Sequence, residues 1–331
     1  MKKIAIIGTG LSGLTVAHYL KERAEITLFE KARGVGGRSS SSRAEPYFFD
    51  HGAQYFTART DTFRRFLKPL LKTGVVQRWN AHYCKFDREQ IIERKDWGKE
   101  EPRYVGIPGM NFVAKYLATN LSVVLKTKIT RLELEKTKQK WQLFDQDERA
   151  YSGFDWIIST APSPQTLELL PAEFAWHSEI KKIKMHPCFC LMLGFSQSLP
   201  FEFSAAHFLN SALSWIAVNN DKPARPKNSK YSLTVHSSTE FAQEFLEKPP
   251  VEVIRELKAE LERIFKYDFS KIEYQSLHNW RFANSFRQKS SNILIDSALN
   301  LGACGDWCSG GRFEGAFTSA FNFAQALEKL L

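Results

Sequence analysis

The first thirty residues alternate between short apolar runs and one segment with helical spacing. Residues 4–7 (Ile-Ala-Ile-Ile) form a continuous apolar run, which is typical of a parallel strand buried on both faces. Apolar residues then recur at helical spacing over residues 11–20, and residues 26–29 (Ile-Thr-Leu-Phe) predict a second strand. The pattern predicts a strand–helix–strand unit with three glycines at its first junction.

The rest of the chain predicts a strand-rich middle and a tail that returns to the pattern of the first unit. Residues 75–103 mix aromatic and charged residues as antiparallel strands do. Residues 219–230 are polar, basic and Pro-containing, which predicts an exposed loop. Helices are predicted over 112–121, 254–264 and 314–330, and strands over 123–134, 156–159, 188–195, 231–236, 293–295 and 301–304.

Composition excludes a largely disordered or fibrous chain. The 331 residues are 43% hydrophobic and 25% charged, which is ordinary for a globular chain of about two domains. Lys and Arg number 46 against 36 Asp and Glu, and the resulting charge of +10 is spread along the chain. An anionic small molecule explains this excess at least as well as a nucleic acid. We therefore expect a small-molecule substrate and no nucleic-acid partner.

Cysteine usage and hydropathy bear on the compartment. The five cysteines include no Cys-x-x-Cys pair, so we expect free thiols in the reducing cytoplasm and no structural metal. No apolar stretch approaches the ~18 residues of a membrane span, so no membrane association is expected. The oligomeric state is left open.

The first motif is Gly8-Thr9-Gly10-Leu11-Ser12-Gly13, between the first predicted strand and helix. Its glycines permit a tight turn, close backbone approach to a pyrophosphate, and close packing of helix on strand. Glu30 ends the next predicted strand, where its carboxylate can accept hydrogen bonds from a ribose diol and would repel a 2′-phosphate. The motif predicts a dinucleotide site.

Two further glycine-rich segments point to the same ligand. Arg33-Gly34-Val35-Gly36-Gly37-Arg38-Ser39 follows Glu30 closely, and Arg38 can neutralise a pyrophosphate by charge-assisted hydrogen bonds. In the tail, Gly305-Asp306 is followed by Gly310-Gly311-Arg312-Phe313-Glu314-Gly315-Ala316 at the start of the last helix. Asp306 can bind a ribityl or ribose hydroxyl, and the helix dipole would favour negative charge on a reduced flavin ring.

Together these segments resemble the flavin-containing amine oxidase superfamily and, within it, the renalase family. Residues 34–38 resemble the glycine motif of amine oxidases. The renalase resemblance is carried in order by residues 50–57 (Asp-His-Gly-Ala-Gln-Tyr-Phe-Thr), 215–220, 233–236, 280–281 and 305–320. It implies an α/β fold: a Rossmann-like FAD-binding domain of the amine oxidase/p-hydroxybenzoate hydroxylase type, with a substrate domain of mixed antiparallel sheet and helices.

The resemblance also implies FAD as the cofactor. Residues 272–301 contain no cysteine before the last strand, which disfavours a covalent flavin. We assign residues 1–75, 105–165 and 276–331 to an FAD-binding domain, and 76–104 and 166–275 to a substrate-binding domain. The expected FAD-binding residues are Gly8, Gly10, Leu11, Ser12, Gly13, Glu30, Lys31, Gly37, Arg38, His51, Gly52, Ala53, Gln54, Ile129, Gly305, Asp306, Arg312, Phe313, Glu314 and Ala316.

The reaction implied by the resemblance is oxidation of the 2- or 6-dihydro isomers of NAD(P)H to NAD(P)⁺. Hydride passes to the flavin N5, and O₂ reoxidises the flavin to give H₂O₂. The renalase-like segments place Asn219, His236, Trp280 and Arg281 as catalytic candidates on the substrate side. For His236 and Trp280 a core position is an equal or stronger alternative, and for Arg281 a surface ion pair is.

Two other functions remain open at this point. A flavin amine oxidase would act on a small amine, and a cationic substrate favours acidic pocket residues, which the candidates lack. A flavin- or nucleotide-binding module without turnover would need the glycine motifs, Glu30, Arg38 and Asp306 but no substrate site.

Overall fold

The computed structural model describes residues 1–98, 101–135, 137–226, 230–286 and 293–331. Its strands are β1 Lys2–Ile7, β2 Ala24–Phe29, β3 Ser41–Ala44, β4 Tyr47–Asp50, β5 Phe56–Thr57, β6 Val76–Arg78, β7 His82–Asp87, β8 Gln90–Asp96, β9 Arg103–Gly106, β10 Ser122–Val124, β11 Ile129–Glu135, β12 Lys140–Asp145, β13 Ala150–Phe154, β14 Trp156–Ser159, β15 Met185–Phe195, β16 Ala205–Leu209, β17 Leu213–Val218, β18 Tyr231–Ser237, β19 Tyr274–Ser285, β20 Leu294–Asp296 and β21 Leu301–Ala303. Its α-helices are α1 Leu11–Leu20, α2 Asp61–Lys72, α3 Asn111–Leu117, α4 Ser163–Leu169, α5 His177–Lys181, α6 Thr239–Glu244, α7 Pro250–Phe265 and α8 Phe313–Glu328.

The chain folds into two compact units, and each is discontinuous in sequence. The first contains Met1–Arg38, Val113–Met185 and Asn284–Leu331, and the second contains Ser39–Phe112 and His186–Ala283. The boundaries differ from those expected from the sequence for residues 39–75, 105–112, 166–185 and 276–283. The role of each unit stays a prediction.

The first unit is a Rossmann-like sheet with helices against it. Six strands lie in the order β10-β2-β1-β14-β21-β20, and all neighbours are parallel except β20 and β21. The inner strands are apolar because both faces are covered, and α1 packs against α8. A three-stranded sheet, β11-β12-β13, contributes Trp141 and Leu143 to the same core. This arrangement brings the first βαβ unit and the C-terminal helix together.

The second unit is built on a seven-stranded sheet in the order β19-β15-β18-β17-β16-β7-β8. One face packs on a core that includes Leu191, Ile216 and Val235 from the strands and Leu257 and Leu261 from α7. Because side chains alternate along a strand, the opposite face carries a different set. His236 lies across from Cys190 on one neighbouring strand and from Trp215 on the other. Two small sheets, β3-β4 and β5-β9-β6, complete the unit.

Two sequence predictions are wrong. Residues 123–134 are not one strand, because Lys126 adopts a left-handed φ of 56° and divides them between β10 and β11 in separate sheets. Residues 219–230 are not simply an exposed loop, because Lys222 and Arg225 are buried. Residues 227–229 of that prediction lie outside the described residues. Lys222 and Arg225 are buried because the carboxylate of Asp50 forms ion pairs with both side chains.

Candidate functional site

The phosphate-binding loop predicted from the sequence lies between β1 and α1. Gly8 has a φ of 106°, and a Cβ on Gly13 would lie 2.1 Å from the Gly8 carbonyl oxygen, so both positions require glycine. Gly10 caps α1 in an extended conformation, and no side chain caps the helix. A Cβ on Gly10 would meet nothing within 4 Å. The helix N-terminus therefore offers backbone N–H groups to an anion that approaches over Gly10.

Glu30 follows β2 and contacts this loop directly. Its Oε2 accepts hydrogen bonds from the backbone N–H (3.0 Å) and hydroxyl (2.6 Å) of Thr9, and its Oε1 accepts from the Ala32 N–H (2.9 Å). Oε1 accepts only one hydrogen bond here, so it retains capacity for a further donor such as a ribose hydroxyl. Thr127 donates its N–H to the Glu30 carbonyl at 2.8 Å, which brings the start of β11, at Ile129, towards the same end of β2.

The second glycine segment reaches the first. Gly36 donates its N–H to the Thr9 carbonyl at 3.0 Å, and a Cβ on Gly37 would lie 3.3 Å from the Gly10 Cα. The Arg38 guanidinium makes a bidentate ion pair with Asp306, with Nη1–Oδ2 at 2.9 Å and Nη2–Oδ1 at 2.5 Å. The structure thus joins two residues that the sequence predicted for one ligand, although they stand 268 positions apart.

The tail completes this region of the first unit. Gly310, Gly311 and Arg312 all have positive φ (76°, 73° and 72°), and Arg312 then caps α8 without a side-chain hydrogen bond to it. Ser12 of α1 donates its hydroxyl to the Ala316 carbonyl at 3.0 Å, which ties the two helices together. The remaining predicted residues take these places: Leu11 is in the first turn of α1, Lys31 is exposed after β2, Gly305 precedes Asp306, and Phe313 and Glu314 open α8.

This donor set fits a dinucleotide. The open approach over Gly10, the uncapped helix N-terminus, a carboxylate at the end of β2 and the Arg38–Asp306 pair supply groups for a pyrophosphate and for ribose or ribityl hydroxyls. The residues that would hold FAD in the first unit are therefore brought together by the fold.

The second unit contains a buried charge cluster that the sequence did not predict. Asp50 ends β4, and its carboxylate is fully buried. Lys222 Nζ lies 3.1 Å from Asp50 Oδ2, and Arg225 Nη2 binds the same oxygen. Ser41 Oγ donates to the other oxygen at 2.7 Å, as does the Met110 N–H at 2.9 Å. Two cations thus share one carboxylate, and the triad carries a net positive charge.

Burial and the contacts within the triad shift the pKa values of Asp50 and Lys222. Burial alone would raise the pKa of Asp50, but the two cations and the Met110 and Ser41 hydrogen bonds hold that pKa below its ordinary value. Burial lowers the pKa of Lys222 to about 8, although Asp50 opposes this shift. Asp50 is therefore ionised and unavailable as an acid, and it is screened from any ligand by the groups around it.

Two amides fix the 50–54 segment onto this triad. Gln54 accepts a hydrogen bond from Lys222 Nζ at 3.1 Å and donates to the carbonyls of Asp50 and Gly52. Asn219 accepts from the Asp50 N–H at 3.0 Å and donates to Thr234 Oγ1 at 2.8 Å. Both ends of the Asn219 amide are engaged and only 1% of the residue is exposed, so it positions this segment and does not line an open ring face as expected.

Next to this segment, three imidazoles and an indole meet. The His51 ring stacks on Trp280 with centroids 5.4 Å apart and meets His278 edge-on at 5.0 Å. The His51 carbonyl accepts from Trp280 Nε1 at 2.8 Å and lies 3.3 Å from His236 Nε2. Gln54 Nε2 lies 3.5 Å from His236 Nε2, but its two N–H groups already bind carbonyls. We assign the proton of neutral His236 to Nε2, which leaves Nδ1 as an acceptor.

The imidazoles are uncharged near neutral pH. Burial lowers the pKa of His236 to about 4 and that of His51 to about 4, with His278 adding to the latter shift. Burial also lowers the pKa of His278. His51 Nδ1 is buried without a hydrogen-bond partner among the described residues. The cluster is a neutral, aromatic surface beside a buried positive triad.

The other predicted residues divide between this cluster and the surface. Gly52 and Ala53 lie in the fixed segment between His51 and Gln54. Arg281 follows Trp280 on β19, so its side chain points to the opposite face. It is exposed and pairs with Glu247 at 2.8 Å, which matches the surface ion pair weighed as its alternative.

Sequence reasoning missed Lys222, Arg225 and His278. A Lys-Pro-Ala-Arg stretch in a polar segment predicts solvent exposure, and only the distant Asp50 reverses this. His278 had a detectable signal, because it precedes Trp280 by two positions and shares its face of a strand.

Together, the dinucleotide-binding residues of the first unit and the separate mixed-sheet unit are typical of a Rossmann-like, dinucleotide-dependent oxidoreductase. The chain belongs to the family described as flavin containing amine oxidoreductase, whose model matches residues 91–327. The model of an NAD(P)-binding Rossmann-like domain matches residues 6–70. The protein is an FAD-dependent oxidoreductase of this family, so the predictions of fold class and cofactor are confirmed.

Individual relatives are similar to this chain over all or part of its length. Renalase of Mus musculus is 23% identical over 358 aligned positions, which cover all of both chains. An acetone monooxygenase of Gordonia sp. is 28% identical over 144 residues, 43% of this chain and 22% of the relative. The renalase-like resemblance predicted from the sequence is confirmed.

Solved structures share the fold at low identity. A putative protoporphyrinogen oxidase from Exiguobacterium sp. has a TM-score of 0.79 at 12% identity, covering 100% of this chain and 99% of that one. A putrescine oxidase mutant has a TM-score of 0.73 at 10% identity, covering 100% of both chains.

The described part of the chain has neither a membrane-spanning helix nor a metal-binding group of side chains. No helix there is both long and apolar enough to cross a membrane. No group of three or more His, Cys, Asp or Glu side chains there is arranged to hold a metal ion.

The Asp50 triad gives a stability prediction. Asp50→Asn leaves Lys222 and Arg225 as buried, uncompensated cations, so we expect the free energy of unfolding to fall by about 3–5 kcal/mol. The exposed Asp61, which pairs with Arg64 on α2, provides the control Asp61→Asn, expected to change stability by less than about 0.5 kcal/mol. Denaturant titrations measure both, and equal losses would contradict the role of the triad.

The histidines predict an acid-sensitive stability. The ordinary pKa is 6.5 and the folded pKa of His51 and His236 is about 4, so the folded protein binds fewer protons than the unfolded chain between these values. The free energy of unfolding therefore falls as the pH drops through this window, by up to about 1.4 kcal/mol per pH unit for each histidine. Denaturant titrations from pH 7 to pH 4 should show a shallower decline in His236→Gln, and an unchanged decline would refute this origin. The exposed His82→Gln is the control.

The predicted pyrophosphate role of Arg38 is testable by cofactor retention. We expect Arg38→Ala to weaken FAD binding by about 1.5–3 kcal/mol, the range for a charge-assisted hydrogen bond. Arg33→Ala changes the same charge at an exposed position of the same loop and should leave the FAD dissociation constant nearly unchanged. Equilibrium titration of the FAD-free protein measures this, and equal affinities for the two variants would remove Arg38 from the site.

Proposed function

We propose that this protein oxidises dihydronicotinamide dinucleotides, the 2- or 6-dihydro isomers of NAD(P)H, to NAD(P)⁺. The observation that carries the proposal is the neutral cluster of His51, His236, His278 and Trp280, set beside a triad with excess positive charge. The full-length similarity to mouse renalase and the renalase-like segments of the sequence support the same substrate class.

The charge of the site opposes a cationic amine. Asp50 is the acid nearest to the cluster in sequence, and it is fully buried and shared by two cations. It therefore offers no carboxylate to a substrate ammonium group. An anionic dinucleotide, by contrast, is attracted by the unbalanced charge of Lys222 and Arg225.

The residues of the cluster suit a ring that becomes a cation. Bound FAD supplies the two-electron acceptor, and O₂ takes the electrons onward to give H₂O₂. Loss of hydride converts the dihydropyridine into a positively charged nicotinamide ring, with no proton to remove. Uncharged imidazoles add no repulsion to that of the buried triad, and the face of Trp280 stabilises the developing charge. His236 Nδ1 can accept a hydrogen bond from the carboxamide N–H₂ and so orient the ring.

Anaerobic mixing of the FAD-loaded enzyme with single compounds tests the proposal. We expect the 2- or 6-dihydro isomer to bleach the flavin at least about tenfold faster than the 4-dihydro form or a small amine. Trp280→Leu should slow the bleaching, because it removes the aromatic face that stabilises the developing charge. Arg281→Gln, on the opposite face of the same strand, is the matched control and should leave the rate unchanged.

Two results would overturn this assignment. Bleaching by a small primary amine or a diamine, with inert dihydronicotinamide isomers, would establish an amine oxidase. FAD binding with no bleaching by any of these compounds would favour a flavin-binding module.

A further inference from the structure

An aromatic and cationic patch lies on the same sheet face as the histidine cluster. We define the aromatic–cationic patch as Tyr55, Tyr83, Trp97, Arg103 and Trp215. Trp215 on β17 is the cross-strand neighbour of His236 on β18, and Tyr83 stands two strands further on, on β7. Tyr55 follows Gln54, which contacts His236 and Lys222. The patch is thus a continuation of the cluster within the second unit.

The rings of the patch pack against one another. Trp97 and Trp215 are nearly parallel, with centroids 6.1 Å apart, and Tyr55 lies 4.9 Å and 5.5 Å from them. Tyr83 stacks on Trp97 at 5.4 Å. Tyr55, Tyr83 and Trp215 are only partly buried, so ring surface remains available to a ligand. Partly exposed aromatic faces of this kind stack well on flat heterocycles.

Two cations already lie near the rings of the patch, where they would repel a cationic ligand. The Arg103 guanidinium lies 4.3 Å from the Trp97 centroid and 5.9 Å from that of Tyr55, and Lys95 Nζ lies 5.4 Å from that of Tyr83. Arg103 also donates to the Glu101 carbonyl at 3.1 Å and has Nη2 3.6 Å from the Glu101 carboxylate. The patch therefore disfavours an amine and favours a neutral or anionic group.

The patch is also rich in donors that lack acceptors. Within the described residues, Nε1 of Trp97, Nε1 of Trp215 and Nε of Arg103 are buried without a hydrogen-bond partner, as is Nε1 of the adjoining Trp79. All four are N–H groups and none can accept. Because buried donors are nearly always paired, their clustering points to an acceptor-rich occupant reached by a small shift of the side chains.

We propose that the aromatic–cationic patch binds the non-reacting end of the substrate, a purine base with its phosphate; this rests on the dihydronicotinamide function proposed above. The strand spacing supports it, since three intervals separate β18 from β7, roughly 14 Å at about 4.8 Å each. One ring does not span that distance, whereas an extended dinucleotide does. Stacking holds the base, and Arg103 attracts the phosphate.

The first arm of the test measures binding without turnover. ADP is titrated by calorimetry into the FAD-saturated protein, so that the cofactor site is filled. We expect binding in the wild type, and a dissociation constant raised about tenfold in Trp215→Leu and in Arg103→Gln. Arg94→Gln is the charge control, because Arg94 pairs with Glu202 and lies across from Cys84, on the core face. Trp176→Leu, in the first unit, is the indole control.

The second arm compares a dihydronicotinamide dinucleotide with the mononucleotide that carries the same reacting ring. In both patch variants the KM for the dinucleotide should rise about tenfold, while the KM for the mononucleotide and both kcat values stay unchanged. A general structural defect would alter both substrates. FAD content and thermal melts verify folding, and Arg103→Gln carries the test if Trp215→Leu does not fold.

The outcomes separate this proposal from the function on which it rests. If ADP does not bind, or if the patch variants match their controls, the patch is not the subsite even where both dihydronicotinamides are oxidised. If ADP binding depends on the patch but neither compound is oxidised, the patch stands as a nucleotide site and the proposed function fails.

Discussion

The second unit depends on one buried carboxylate that pairs with two buried cations. Asp50 receives Lys222 and Arg225 from a segment about 170 residues further along the chain, and these contacts hold β4 against the loop after β17. Such a triad is expensive to desolvate and remains stable only when every partner is in place. The triad therefore fixes the path of the chain after Asp50. His51 and Gln54 lie against the sheet face that carries His236.

The same contacts set the chemistry of the face. Burial lowers the pKa values of the imidazoles, and the positive charge of the nearby Lys222 lowers the pKa of His236 further. The Asp50 carboxylate pairs with the two cations of the triad, so it does not bind a substrate ammonium group. A neutral, aromatic site beside a positively charged triad suits the flat nicotinamide ring of an anionic dinucleotide. The N–H donors around Trp215 favour binding of the second base of the same dinucleotide.

The sequence was sufficient for the dinucleotide site, because its determinants are local. The glycines from Gly8 to Gly13 and the carboxylate of Glu30 predicted the dinucleotide site, because a tight turn and a helix N-terminus are encoded within a few residues. It was insufficient where a distant partner reverses a local preference. Lys222 has the composition of a surface loop and is buried only because Asp50 compensates it. At Lys126 a single left-handed residue divides the strand-like segment 123–134, and no periodicity reveals that.

A crystal structure of the FAD-loaded protein with NAD⁺, the expected product, would show where the reacting ring binds. We expect that the nicotinamide ring contacts Trp280, that its carboxamide N–H₂ donates to His236 Nδ1, and that no carboxylate contacts the ring. Nicotinamide bound away from His236 and Trp280, or with an acidic side chain against the ring, would contradict it.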